Sequence, residues 1–252
     1  MTTVTTTHER LLARIAKLEV ELGTRTREAA EKEQQLERYA ADLRETFKEE
    51  RARARELRHS YRLTVRALAS AVEARDAYTG RHAERVAAYG LRIGAAAGME
   101  LGEEPEIEFG FLLHDVGKVA VPDAILFKPG PLTPEERAII ERHPVTGSEI
   151  VRDIGFLGAA RDVIRSHHER WDGTGYPDGL AGTEIELSAR VFAVADTLDA
   201  LTSNRPYRRA SSFAKARAII VGDSGTHFDP DVIAAYETLP DAVLQDLRRT
   251  IG

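Results

Sequence analysis

FGFLLHDVGK, residues 109–118, carries an apolar run straight into a histidine and an aspartate. A carboxylate beside an imidazole at the end of a buried segment is costly unless a cation or hydrogen bonds compensate it. VFAVADTLDAL (191–201) repeats the situation around Asp196, on a helix apolar on most of its faces. Outward from these two runs, the segments 61–76, 80–98, 104–117, 134–153, 157–169, 188–203 and 212–222 each read as helix, and none shows the sustained alternation of a strand. The expected fold class is all-α. Two connections rich in turn formers, PDAILFKPGPLTP (122–134) and DGTGYPDGLAGTEIEL (172–187), are long enough to carry function.

Ahead of this region, residues 8 to about 58 are dense in Glu, Arg and Ala, with Gly23 as their one glycine and no proline, and read as nearly unbroken helix. Leu11, Ile15, Leu18, Leu22, Ala29, Leu36 and Leu43 fit heptad positions, with Arg25 and Lys32 breaking one seam and Phe47 out of phase. The expectation is a coiled-coil stalk over 1–60 that pairs two chains, followed by a compact domain over 61–252. A solvated helix docked on that domain is the alternative.

Composition narrows the chemistry. The 252 residues are 42% hydrophobic, enough for a buried core, and contain no cysteine, which leaves imidazole and carboxylate as the strong metal donors. A formal charge of −6 gives no reason to expect DNA binding. The opening residues MTTVTTTHER lack a signal-peptide core, and no later stretch approaches the roughly 20 apolar residues of a membrane span, so a soluble, cytoplasmic protein is expected.

Five of the eight histidines, His82, His114, His143, His167 and His168, fall within 87 residues of the compact region, which also carries Asp115 and Asp196. One such residue on an apolar helix is more often a hydrogen-bonded core group than a ligand. Seven of them, including the adjacent pairs His114–Asp115 and His167–His168, exceed one tetrahedral shell and point to two metal ions sharing a carboxylate. Mixed nitrogen and oxygen donors favour iron or manganese over nickel, cobalt or zinc. Lys118, three residues past Asp115, would face the same centre on a continued helix.

The segments ARDAYTGRHAERV (74–86), LLHDVGKVAVPDAILFKPGPLTPEE (112–136), RHPVTGSEI (142–150), HHERWDGTGYPDG (167–179), VFAVADTLDALTSNRPYR (191–208) and GTHFDP (225–230) together resemble the HD-GYP family. That family is the cyclic di-GMP phosphodiesterase branch of the HD phosphohydrolases. The resemblance covers about 61–252 and implies an HD-type helical bundle. It implies that His82, His114, Asp115 and Asp196 hold one metal and His143, His167 and His168 a second, with Asp115 bridging. Some members place a glutamate one turn before the first histidine to support a third metal. Tyr78 stands there in this chain.

The same resemblance makes Asp115 and Lys118 the catalytic pair, and makes Lys118, Tyr176, Arg205 and Arg208 contacts of a cyclic dinucleotide. The implied reaction opens cyclic di-GMP to pGpG, with continuation to GMP left open, in a protein that also has signalling partners. Asp76, Thr79, Glu169 and Asp199 are candidates for orienting the imidazoles. Two other readings stand beside it: a module that senses the dinucleotide or metal without turnover, and an HD nucleotide phosphohydrolase of other specificity.

Overall fold

A computed structural model describes residues 2–75, 81–100, 106–204 and 208–251, apart from the side chains of 2–7 and 9. Two compact units divide the chain, one ending at His59 and the other beginning at Ser60. Helix α1 spans Thr2–Glu73, so its last turns belong to the second unit. Within the first unit Leu11, Ile15, Leu18, Leu22, Leu36, Leu43 and Phe47 are all exposed.

The second unit continues with α2 (His82–Ala96), α3 (Glu106–Leu113), a 3-10 turn (Val116–Ala120), α4 (Asp123–Leu126), α5 (Pro134–Ile140) and α6 (His143–Ile150). After a short 3-10 turn come α7 (Gly158–Ser166), the 3-10 turn Gly182–Glu184, α8 (Leu187–Thr202), α9 (Phe213–Gly222), α10 (Pro230–Glu237) and α11 (Asp241–Ile251). Among the described residues there is no strand, and the fold is all-α. No described helix is long and apolar enough to cross a membrane.

Helix α2 packs on α8 and α3, α3 packs on α7, and α6 packs on both α7 and the turn Val116–Ala120. Phe109, Phe111, Phe192, Ile164 and Leu198 are fully buried between them. The rings of Phe111 and Phe192 lie 5.5 Å apart, and Phe192 also lies 4.7 Å from the His114 ring. The apolar core thus ends directly beneath the histidines.

Two sequence expectations need correction. The segment 134–153 is not one helix: α5 ends at Ile140 and α6 begins at His143. Pro144 lies in the first turn of α6, where its missing N–H costs nothing, whereas inside a continuous helix it would break a hydrogen bond. Thr133 opens α5 with a capping box to Glu136. Likewise 104–117 does not stay helical, because α3 stops at Leu113 and the chain turns through His114 and Asp115 into the 3-10 turn. Gly117 explains the tight turn: a Cβ there would collide with the carbonyl oxygen of His143 and the backbone of Gly147. The short helix α4 and the C-terminal helices α10 and α11 were not anticipated. Asp229 caps α10 and Pro230 opens it.

Since backbone meets backbone at Gly117, no side-chain rearrangement can relieve an added methyl. Gly117→Ala is therefore expected to destabilise the fold by about 2–3 kcal/mol, the upper range for overpacking. Urea denaturation checks this, and an unchanged midpoint would contradict the packing described.

Candidate metal centre

Three histidines are held in the same way. Nδ1 of His114 donates to the Phe111 carbonyl at 2.9 Å, Nδ1 of His143 to Ile140 at 2.7 Å, and Nδ1 of His167 to Ile164 at 2.8 Å. Each acceptor lies three residues earlier, at or near a helix end where carbonyls lack intrahelical partners. His82 does the same with a side chain, its Nδ1 lying 2.8 Å from Oδ2 of Asp199. A proton fixed on Nδ1 leaves the lone pair on Nε2.

Those Nε2 atoms converge on acceptors. Nε2 of His143 and Nε2 of His167 are 3.1 Å apart. Nε2 of His143 lies 3.2 Å from Oδ1 of Asp115, and Nε2 of His114 lies 3.1 Å from Oδ2 of the same residue. Nε2 of His82 faces Oδ1 of Asp196 at 3.4 Å. Lone pair against lone pair is repulsive, so each contact calls for a cation between its atoms. A proton can serve only by making a buried imidazolium or, at an aspartate, a neutral carboxylic acid.

Electrostatics decide where protons can and cannot do so. Burial, followed by the neighbouring His168, His114 and His143, pushes His167 well below the ordinary imidazole range. Burial and then His143 push His168 down to about 3. For His114, burial opposes the charged form, but the Asp115 carboxylate outweighs it and raises the imidazole above its usual value. Burial likewise opposes ionisation of Asp115, yet the charges of His114 and Lys118 hold it well below the carboxylate range. A negative, largely buried carboxylate beside two imidazoles held neutral, His167 and His168, fits a divalent metal ion.

Asp115, His143, His167 and His168 offer ligand atoms within 4.8 Å of one another. The two oxygens of Asp115 face different groups: Oδ1 faces His143 and His167, while Oδ2 faces His114 and receives the Lys118 ammonium at 2.7 Å. His82 joins this second side, its ring 5.5 Å from that of His114. All seven histidine and aspartate candidates therefore gather in one place. Lys118 also reaches it, on a 3-10 turn and not on the continued α-helix expected from spacing.

The segment after His168 folds back over the site. Tyr176 stacks on His168 at 4.7 Å, and its backbone N–H bonds to the His168 carbonyl at 3.3 Å. Gly175 permits this return, because a Cβ there would collide with the backbone of His168, Glu169 and Arg170. Glu169 does not orient an imidazole. Its buried carboxylate accepts the backbone N–H groups of Asp178, Gly179 and Leu180 at 2.7–3.1 Å and so pins the loop. Arg165 adds a bidentate pair with Asp178 at 2.7 Å.

Arg208 donates to the Ala200 carbonyl at 2.6 Å, which anchors it to the end of α8. Arg205, Tyr78, Asp76 and Thr79 lie outside the described residues. Arg85 was not anticipated: it is buried and grips Asp199 through Nε and Nη2 at 2.7 and 3.0 Å. Burial opposes the Asp199 charge, but hydrogen bonds from His82 and Arg85 bring its carboxyl down to about 2. An arginine on a helix carries no sequence signature of such a role.

The lowered histidines fix a sign for pH dependence. Below about pH 6.5 the unfolded chain protonates His167 and His168, whereas the folded chain keeps His168 neutral down to about pH 3. Their contribution to stability is complete above pH 6.5 and is lost as pH falls towards the folded values. Chelator-treated protein is expected to lose stability from pH 7 to pH 4.5. His168→Gln is expected to flatten that slope by up to about 1.4 kcal/mol per pH unit near pH 5, as read by urea denaturation. Parallel slopes for the two proteins would contradict the assignment.

A model of the HD domain family matches residues 66–232. The chain is 40% identical over 180 residues to a 3'3'-cGAMP-specific phosphodiesterase of Vibrio cholerae, covering 71% of this chain and 34% of that protein. It is 41% identical over 179 residues to a cyclic di-GMP phosphodiesterase of Thermotoga maritima, covering 70% and 49%. The chain thus spans half or less of the length of these relatives. Among solved structures, a cyclic GMP-AMP-specific phosphodiesterase of V. cholerae shares the fold with a TM-score of 0.53 at 21% identity, over 73% of this chain and 53% of that one. With the histidine and aspartate cluster in place and the family model covering most of the compact unit, this chain belongs to the HD domain family and carries the HD-GYP signature read from its sequence.

Proposed function

We propose that this protein is a metal-dependent phosphodiesterase that hydrolyses cyclic di-GMP to pGpG, with Asp115 as the ligand shared by two divalent ions. The observation that carries the reading is the division of labour within Asp115, whose Oδ1 faces His143 and His167 while Oδ2 faces His114 and Lys118. On this reading His143, His167 and His168 hold one ion, and His82, His114 and Asp196 hold the other, with iron or manganese suiting the donors best. Bound there, divalent ions supply an acidified water and offset the charge of a phosphodiester.

The protein's own part is placement. Carbonyls behind His114, His143 and His167 keep every Nε2 aimed inward before substrate arrives. Lys118, with Nζ 2.7 Å from Asp115, stands where it can donate to a phosphoryl oxygen or to the departing hydroxyl. Tyr176, ordered by its stack on His168, forms a wall for the substrate, and Arg205 and Arg208 supply guanidinium groups for its phosphates. The cyclic dinucleotide class is supported by the relatives, whose names divide between cyclic di-GMP and 3'3'-cGAMP. We infer further that residues 1–60 form a stalk through which two copies pair, since its exposed leucines fall at heptad spacing.

Anaerobically prepared protein loaded with iron or manganese is expected to release pGpG or GMP from cyclic di-GMP faster than the matching product from 3'3'-cGAMP. Asp115→Ala should abolish both turnover and metal retention. Lys118→Met should keep the metal and lower kcat by about 10²–10³-fold. Failure of the loaded protein to open either cyclic dinucleotide would sink the reading, and a faster 3'3'-cGAMP reaction would reassign the substrate.

A further inference from the structure

We propose that Arg248, on the C-terminal helix α11 and beyond the 66–232 stretch matched by the family model, is a positioning residue for His82. The inference rests on the metal-site reading above, and concerns which parts of the chain build that site.

Asp199 is fully buried and has no exposed edge. One of its oxygens takes Arg85 Nε at 2.7 Å, and the other takes Nδ1 of His82 at 2.8 Å together with Arg85 Nη2 at 3.0 Å. Arg248 closes the remaining side. Its Nη1 lies 3.6 Å from Oδ1 of Asp199, and its Nη2 donates to Oγ of Ser203 at 3.3 Å, whose hydroxyl in turn donates to Oδ2 of Asp199 at 3.3 Å. Nη1 also donates to Oγ1 of Thr202 at 3.1 Å. The fork therefore grips the last turn of α8 and the residue that ends it.

That grip matters because α8 presents both Asp196 and Asp199 to His82, one to each ring nitrogen. A shift of this turn moves both carboxylates relative to one imidazole. The helix that carries Arg248 is itself firmly seated: Leu244 is fully buried, and Arg217 donates to Asp241 at 2.7 Å at the start of α11. By contrast, His143 takes its orientation from the Ile140 carbonyl at the end of α5, His167 from the Ile164 carbonyl of α7, and His168 from its stack on Tyr176. The expected consequence is selective, falling on the ion at His82 and Asp196 and sparing the other.

The test is Mn²⁺ titration of the full chain as wild type, Arg248→Met, Asp199→Ala and the double variant, with metal content measured on the same samples. Loss of a partner behind a metal-bound histidine costs about 10–100-fold in affinity. Arg248→Met is expected to weaken one of two ions about tenfold and leave the other unchanged. Adding it to Asp199→Ala is expected to cost nothing more, because Arg248 acts through Asp199. Wild-type affinity for both ions in Arg248→Met, or full additivity in the double variant, would overturn the proposal.

A wild type that binds a single ion would count against the two-metal reading instead. Nitrogen chemical shifts of the His82 ring in metal-free protein then judge Arg248 separately. A fixed Nδ1–H form in wild type that becomes a tautomer mixture in Arg248→Met supports the role, and unchanged shifts refute it. Should the methionine variant not fold, Arg248→Lys, which keeps the charge and lacks the fork, carries the same expectations.

Discussion

The hydrogen bonds from Nδ1 of His114, His143 and His167 to carbonyls three residues back constrain everything else in the site. Each bond uses a carbonyl near a helix end to decide which ring nitrogen keeps its proton. The consequence is felt on the opposite side of the ring, where Nε2 atoms meet one another and the two oxygens of Asp115 at 3.1–3.2 Å. Such an arrangement is strained electrostatically without a cation and relaxed with one. Since the Asp115 carboxylate raises His114 above its usual value, a metal held there would compete with a proton, and its affinity would fall in acid.

The helices can be understood by what they bring to that centre. The ends of α3 and α7 deliver His114 and His167, and the first residue of α6 delivers His143. Ending or starting a helix at each of these residues exposes a carbonyl to serve its imidazole. A continuous helix through His114, or through His143, would leave no such acceptor for its ring. Phe192, packed against both His114 and His167, supplies the apolar floor that keeps water from screening the cluster. Glu169 and the glycine at 175 do for the covering loop what the carbonyls do for the rings.

Much of this was legible in the sequence by residue type. Imidazoles and carboxylates stranded on apolar helices had few explanations, and an all-α class followed from uninterrupted helical segments with no alternation. What was not legible depended on tertiary contact. Glu169 read equally well as an imidazole partner, and only the folded loop shows its carboxylate receiving three backbone amides. Arg85 and Arg248 are ordinary helix arginines until α2 and α11 bring them to Asp199. The break before His143 was signalled by Pro144, whereas the close approach of Gly117 to the backbone of His143 and Gly147 on another helix had no signal in the sequence.

On the two-metal reading, the largely buried carboxylate of Asp115 is shared between two cations. Electron paramagnetic resonance of the protein loaded with two equivalents of Mn²⁺ tests it directly, because ions bridged by one carboxylate sit about 3.5–4 Å apart and couple magnetically. The account predicts a spin-coupled pair signal that disappears in Asp115→Ala. Two uncoupled Mn²⁺ signals, or a single ion at saturation, would contradict it.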